Sequence, residues 1–138
     1  MGSSKEELKS RAAFGETYGR GPSALLDEME RRVLGGVWGA NGYTTVAEAD
    51  RLAKELSLGP ADHLLDVGSG RGWPGLYLAK TTGCRLTMTD LPFEGLRVAL
   101  DRAALEEIDV TGASVASAKA LPFAARSFEA IVHTDVLC

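Results

Sequence analysis

Apolar positions along the chain change their period near residue 60, and the change divides the chain in two. Before it they recur at helical spacing. Leu25, Leu26, Met29 and Val33 mark a helix over 24–34, which Gly35-Gly36 ends. Thr45 followed three residues on by Glu48 is a capping box, in which each side chain satisfies the other's backbone donor. Val46, Ala49, Leu52, Ala53 and Leu56 then form one stripe, closed by Gly59-Pro60. Two helices are therefore predicted ahead of residue 60. The glycine-punctuated loop between them, 37–44, carries Trp38 and Tyr43. It either folds over a ligand or is pinned to the core by those aromatics.

From residue 62 the rhythm becomes strand, turn, helix. An apolar run over 63–67 has strand length, and 73–80 reads as a short helix that tolerates Pro74 in its first turn. Residues 85–89 are rich in β-formers, and 92–107 form a helix with Leu96, Ala99, Leu100 and Ala103 inward. Residues 113–118 make a weak small-residue strand, and 128–134 a clearer one centred on Ile131-Val132. Strands alternating with helices predict a mostly parallel sheet joined by right-handed crossovers. The expected fold is α/β, a Rossmann-like three-layer sandwich preceded by N-terminal helices. Residues 1–59 form a helical lid segment and 60–138 a ligand-binding half domain.

Composition narrows the choice of ligand. With 138 residues, 45% hydrophobic and 25% charged, the chain has room for one core. No apolar run reaches the roughly 18–20 residues that span a bilayer, and the N-terminus lacks an apolar leader, so a cytoplasmic location without membrane contact is expected. Residues 1–59 carry 8 basic and 9 acidic side chains, and 60–138 carry 7 and 10, so neither half offers the cationic clustering that nucleic acid requires. Cys84 and Cys138 form no metal-ligand spacing, and no metal is expected.

The chemistry-bearing stretch is Leu64-Leu65-Asp66-Val67-Gly68-Ser69-Gly70-Arg71-Gly72, with Asp90 closing the next strand. Glycines at alternate positions let a backbone turn sharply and approach a ligand, and a helix starting near Gly72 would aim its free amides at it. Gly70-Arg71-Gly72-Trp73-Pro74-Gly75 also satisfies the G-x-G-x-x-G fingerprint of nicotinamide and flavin enzymes. That register begins four residues past Asp66, however, and Asp66 would face an anionic pyrophosphate at close range. A phosphate-free, cationic cofactor suits the position better. No Walker lysine is present, which excludes a P-loop.

This stretch resembles the first motif of class I S-adenosylmethionine-dependent methyltransferases of the small-molecule type. Asp90-Leu91 resembles the family's ribose-binding acid and its neighbour, and Leu121-Pro122-Phe123 with Ser127-Phe128-Glu129-Ala130-Ile131-Val132 resembles its run into a fourth strand. The likeness covers 62–137, the first four strands of that fold. It implies that Asp66, Gly68, Ser69, Gly70 and Gly72 hold the methionine part of S-adenosylmethionine, and that Asp90 accepts both ribose hydroxyls. Leu91 and Ala118 would lie along the adenine. Ser117 stands where the family often has an aspartate for the adenine amino group. Asp135 would lie where substrate and cofactor meet, and the 38–43 loop would be the lid.

A family of this kind needs no invariant catalytic side chain, because methyl transfer from a sulfonium asks chiefly for alignment and exclusion of water. Asp135 and His133 are the weak catalytic candidates. His133, on a strand rich in apolar residues, is expected to be structural rather than a general base, and Cys138 is a still weaker nucleophile. The expected function is methyl transfer to a small-molecule acceptor, with this chain supplying the cofactor-binding half. The alternatives are a non-catalytic S-adenosylmethionine-binding or dimerising half domain and, behind it, an NAD(P)-dependent oxidoreductase. The chain is expected to be a fragment of a longer enzyme or a half-length protein. The apolar edge of the fourth strand, with Ile131, Val132 and Val136, would then invite a homodimer.

Overall fold

Three helices, not two, precede the sheet in the computed structural model of the chain, which describes residues 4–136. Helix α1 (Lys5–Tyr18) carries too few apolar residues at helical spacing to announce itself. Its signal is local: Ser4 accepts from the Glu7 N–H at 3.2 Å and the Glu7 carboxylate accepts from the Ser4 N–H at 2.7 Å, a full capping box. Helix α2 (Ala24–Leu34) ends at Gly35 in the left-handed conformation, and α3 (Val46–Glu55) begins at the predicted Thr45–Glu48 box.

Then come β1 (His63–Val67), α4 (Gly75–Thr82), β2 (Arg85–Asp90), α5 (Phe93–Leu105), β3 (Val110–Val115) and β4 (Ala130–Val132). All pairings are parallel, in the order β3-β2-β1-β4, so both crossovers through α4 and α5 run on one face. Strand alternation sends Leu64, Leu86, Met88 and Val132 to that face, where Leu76, Leu78, Leu96, Ala99 and Ala103 bury them. The opposite face is crossed by residues 116–129 on the way from β3 at one edge to β4 at the other. There Phe128 packs edge-on against His63 at 4.7 Å and Phe123 against Phe128 at 5.0 Å. The Rossmann-like α/β expectation therefore stands, with a helical layer on one face and irregular chain over the other among the described residues.

Some predicted edges move. Strand β3 lies three residues earlier than its pattern suggests, because a register shift beside Leu86 and Thr87 carries Val110 into the sheet. Strand β4 is shorter, since β1 offers it only the partners Leu64, Leu65 and Asp66. The stripe of α2 makes a helix but no core: Leu25, Leu26, Met29 and Val33 are all more than half exposed, and Leu34 alone of this helix is buried. No described helix is long and apolar enough to cross a membrane.

Candidate functional site

The turn after β1 folds back onto the end of β2. The Thr89 carbonyl accepts from the Gly68 and Ser69 N–H groups at 2.7 and 3.0 Å and from Ser69 Oγ at 3.3 Å. One residue on, Asp90 Oδ2 accepts from the Gly70 N–H at 2.6 Å, while its Oδ1 accepts from the Leu91 N–H at 2.7 Å. Gly68, Gly70 and Gly72 all have positive φ, at 73°, 52° and 97°, so side chains there would strain the turn. Gly95 in α5 is needed for a different reason. A Cβ on it would stand 2.6 Å from the Gly70 carbonyl oxygen and 2.8 Å from the Tyr18 ring.

Above this turn lies a cleft of about 390 Å³, floored by Gly68, Ser69, Gly70 and Asp90. Leu91 and Pro92 form one wall, residues 134–136 another, and Gly39, Asn41 and Gly42 a third. Helix α1 closes the remaining side with Ser10, Phe14 and Tyr18, which share one helix face. Phe14 and Tyr18 stack at 5.8 Å. Burial, and then the charge of nearby Asp90, push the Tyr18 phenol above its ordinary range. Sequence patterning missed these three residues because it missed their helix. The Ser4–Glu7 capping box was the one signal that could have found it.

The sequence-predicted residues separate into two groups. Gly68, Ser69, Gly70, Asp90, Leu91 and Asp135 meet around the cleft. Asp66 and Gly72 lie beneath it rather than on its wall. Asp66 is 1% exposed, its Oδ2 accepts from the Gly75 N–H at 3.0 Å, and burial pushes its carboxyl up to about 8. Ser117 and Ala118 stand outside the cleft lining, past the end of β3. His133 is exposed beyond β4, so its expected place on that strand is corrected: the strand ends at Val132 before reaching it. Cys138 lies outside the described residues.

Asp135 closes the cleft instead of pointing freely into it. Its Oδ2 accepts from the Tyr43 N–H at 3.0 Å and from Thr44 Oγ1 at 3.3 Å. The 37–44 loop is held elsewhere as well. The Glu30 carboxylate accepts from the N–H groups of Trp38, Gly39 and Ala40 at 2.6, 3.2 and 3.0 Å. Arg71 donates to the Gly39 carbonyl at 3.0 Å and to Asn41 Oδ1 at 3.1 Å, and Trp73 Nε1 donates to the Thr44 carbonyl at 2.9 Å. Trp38 wedges between Trp73 and Tyr77 with the Arg102 guanidinium 5.4 Å above its ring. Of the two aromatics, Trp38 pins the loop and Tyr43 stands 85% exposed.

The turn also spends its amides internally. Besides those already named, the Gly72 N–H bonds the Ser69 carbonyl at 2.7 Å, the Gly75 N–H bonds Asp66, and the Leu76 N–H bonds the Gly72 carbonyl at 2.8 Å. The expected fan of free amides at the start of α4 is thus largely occupied, which removes the donors a pyrophosphate would need. What remains is a desolvated carboxylate at Asp90 with a lone pair free on each oxygen, facing the cleft. That acceptor fits a vicinal diol, whose hydroxyls donate, and a cationic group, and so fits S-adenosylmethionine.

Known proteins agree with this chemistry. Two curated relatives are 27-O-demethylrifamycin SV methyltransferase of Amycolatopsis mediterranei (strain S699), 31% identical over 127 residues, and methyltransferase GfsG of Streptomyces halstedii, 30% identical over 124. The alignments cover 82% and 85% of this chain but 45% of each relative, so the chain spans about half the length of the curated relatives it matches. Among solved structures, coclaurine N-methyltransferase bound to N-methylheliamine and S-adenosylhomocysteine shares the fold. It has a TM-score of 0.62 at 14% identity, over 96% of this chain and 43% of that one. The family described as methyltransferase domain matches residues 64–138, more than half of the sequence. On that match and the frame that carries it, the chain belongs to the class I S-adenosylmethionine-dependent methyltransferases.

Proposed function

We propose that this chain binds S-adenosylmethionine in the cleft above the glycine turn and serves a methyl transfer to a small-molecule acceptor. The observation that carries the reading is Asp90, a half-buried carboxylate oriented by two backbone amides at the end of β2. Bound there, the cofactor supplies a methyl group on a cationic sulfur. Asp90 would accept the two ribose hydroxyls through its remaining lone pairs. Gly68, Ser69 and Gly70 would border the methionine part, with no side chain at the two glycines to obstruct it. Asp66 and Gly72 would support the turn from below, Asp66 through its bond to Gly75. Leu91, and Ser117 with Ala118 beyond β3, would border the adenine.

Phe14 and Tyr18 on one wall and Gly39, Asn41 and Gly42 on another would screen the cleft from water, which is the protein's main task when the electrophile is already activated. Asp135 would act by holding residues 43 and 44 in place, since both its contacts are to that loop. A small acceptor is supported by the net charge of −4 and by a relative named for 27-O-demethylrifamycin SV. The free, buried Cys84 fits a reducing cytoplasm. A homodimer through β4 would cover Ile131, which is 55% exposed on that edge strand, and sizing in solution tests it.

Calorimetric titration with S-adenosylmethionine and S-adenosylhomocysteine tests the central reading. Wild type should bind both, and Asp90→Ala should bind each about ten-fold or more weakly, the value of hydrogen bonds to a charged acceptor. Unchanged affinity in the variant, or preference for a nicotinamide dinucleotide, would overturn it.

A further inference from the structure

Beyond the cleft lining, α1 reaches the end of β3. Glu7 lies one turn earlier on the same helix face as Ser10, Phe14 and Tyr18. Its Oε1 accepts from Ser117 Oγ at 2.5 Å, joining two residues 110 apart in the chain. Ser117 follows β3 directly, where the Ala116 N–H bonds the Asp90 carbonyl at 3.0 Å and Val115 is the partner of Asp90. In the order β3-β2-β1, Asp90 therefore stands between the glycine turn on one side and Ser117 with Glu7 on the other. A cofactor with its methionine part at the turn and its ribose on Asp90 carries its base towards that pair.

Position 117 holds a hydroxyl, and the fold brings a carboxylate to it from α1. We propose that Glu7 reads the exocyclic amino group of the adenine, with Ser117 orienting it, so that the N-terminal helix supplies the base-recognition acid. The inference rests on the S-adenosylmethionine reading above. The chemistry is that of donor and acceptor: an amino group donates, and Glu7 Oε1 retains a lone pair after accepting from Ser117. The other oxygen is held by the Ser4 N–H at 2.7 Å, so the helix cap fixes the carboxylate's direction. The Ser117 hydroxyl bond, followed by the Ser4 amide, holds the Glu7 carboxyl below its ordinary range, so it accepts as an anion at neutral pH.

The test compares S-adenosylhomocysteine with S-inosylhomocysteine, in which an oxygen replaces the amino group, by calorimetric titration of the full chain. Wild type should prefer the amino compound by about ten-fold or more, since the oxygen faces an anion. Glu7→Gln keeps the capping box, because glutamine also serves at that position, yet it should lose most of this preference while still binding both compounds. Adding Ser117→Asp to Glu7→Gln should restore it. Equal preference in wild type and Glu7→Gln would overturn the inference and leave S-adenosylmethionine binding intact. Failure of the wild type to bind either compound would instead overturn the underlying reading, and this inference with it.

Discussion

Helices α2 and α4 both carry large apolar side chains, and these meet opposite fates. In α4, Leu76 and Leu78 are fully buried between the sheet and its neighbours. In α2, Leu25, Leu26, Met29 and Val33 face outward, and the segment that follows is tied down by Glu30, Arg71 and Asp135 through polar bonds. The sheet domain is held by area removed from water, which is non-directional and sums over many contacts. Outside the packing of Trp38, the stretch after α2 is held by directed hydrogen bonds, each worth little on balance but costly to leave half-made. One region should be stable and insensitive to single polar changes, the other locally weak and readily re-set.

The largest expected effect tests that contrast directly. Leu76→Ala should cost about 2–5 kcal/mol in chemical denaturation, as truncation of a fully buried leucine does. Met29→Ala should stay within about 0.5 kcal/mol, because the side chain is 53% exposed. A Met29→Ala cost matching that of Leu76→Ala would break the comparison, by showing that the α2 face is covered in solution. Repeating the measurement at several protein concentrations would then tell whether a second copy covers it.

How far sequence patterning reached follows the same division. Strand β1 and helix α2 fall where apolar period and turn residues put them, and the Thr45–Glu48 box starts α3 as expected. These signals are local. Helix α1 escaped because the face it turns to the cleft is made by Ser10, Phe14 and Tyr18, a mixed set whose reason is the cleft rather than the core. Asp66 shows the converse limit. Its type and place in the motif were legible, but its depth beneath the turn depends on Gly75 meeting it from α4. The clamp of Glu30 on three amides was likewise invisible, since it joins residues through a loop conformation that no period encodes.

Asp66 sharpens the contrast from the side of the sheet domain. Its carboxyl is pushed from an ordinary 3.8 up to about 8 by burial, partly opposed by the Gly75 amide. The native state therefore binds more protons than the unfolded chain between those limits, and stability falls as pH rises through that window. Asp90, raised by burial as well, contributes with the same sign. Stability should drop by about 2 kcal/mol or more between pH 4 and pH 8, and Asp66→Asn should flatten most of that slope. A slope unchanged in Asp66→Asn would mean that the carboxyl is solvated in the native protein, and that the floor of the cleft is wetter than its packing suggests.

The most local of the losses should be confined to the loop after α2. Glu30→Ala removes the acceptor of the Trp38, Gly39 and Ala40 amides, but the site is only part-buried and water can replace it. The net loss should be about 1 kcal/mol, and it should appear locally rather than in global unfolding. Hydrogen exchange of those three amides should quicken roughly ten-fold, while the amides of β1 and β2 keep their protection. Loss of protection spread evenly over the sheet would show that the loop and the sheet open as one unit. In that case the polar staples of the 37–44 loop contribute to the same cooperative structure as the buried leucines, and the two regions differ in chemistry but not in stability.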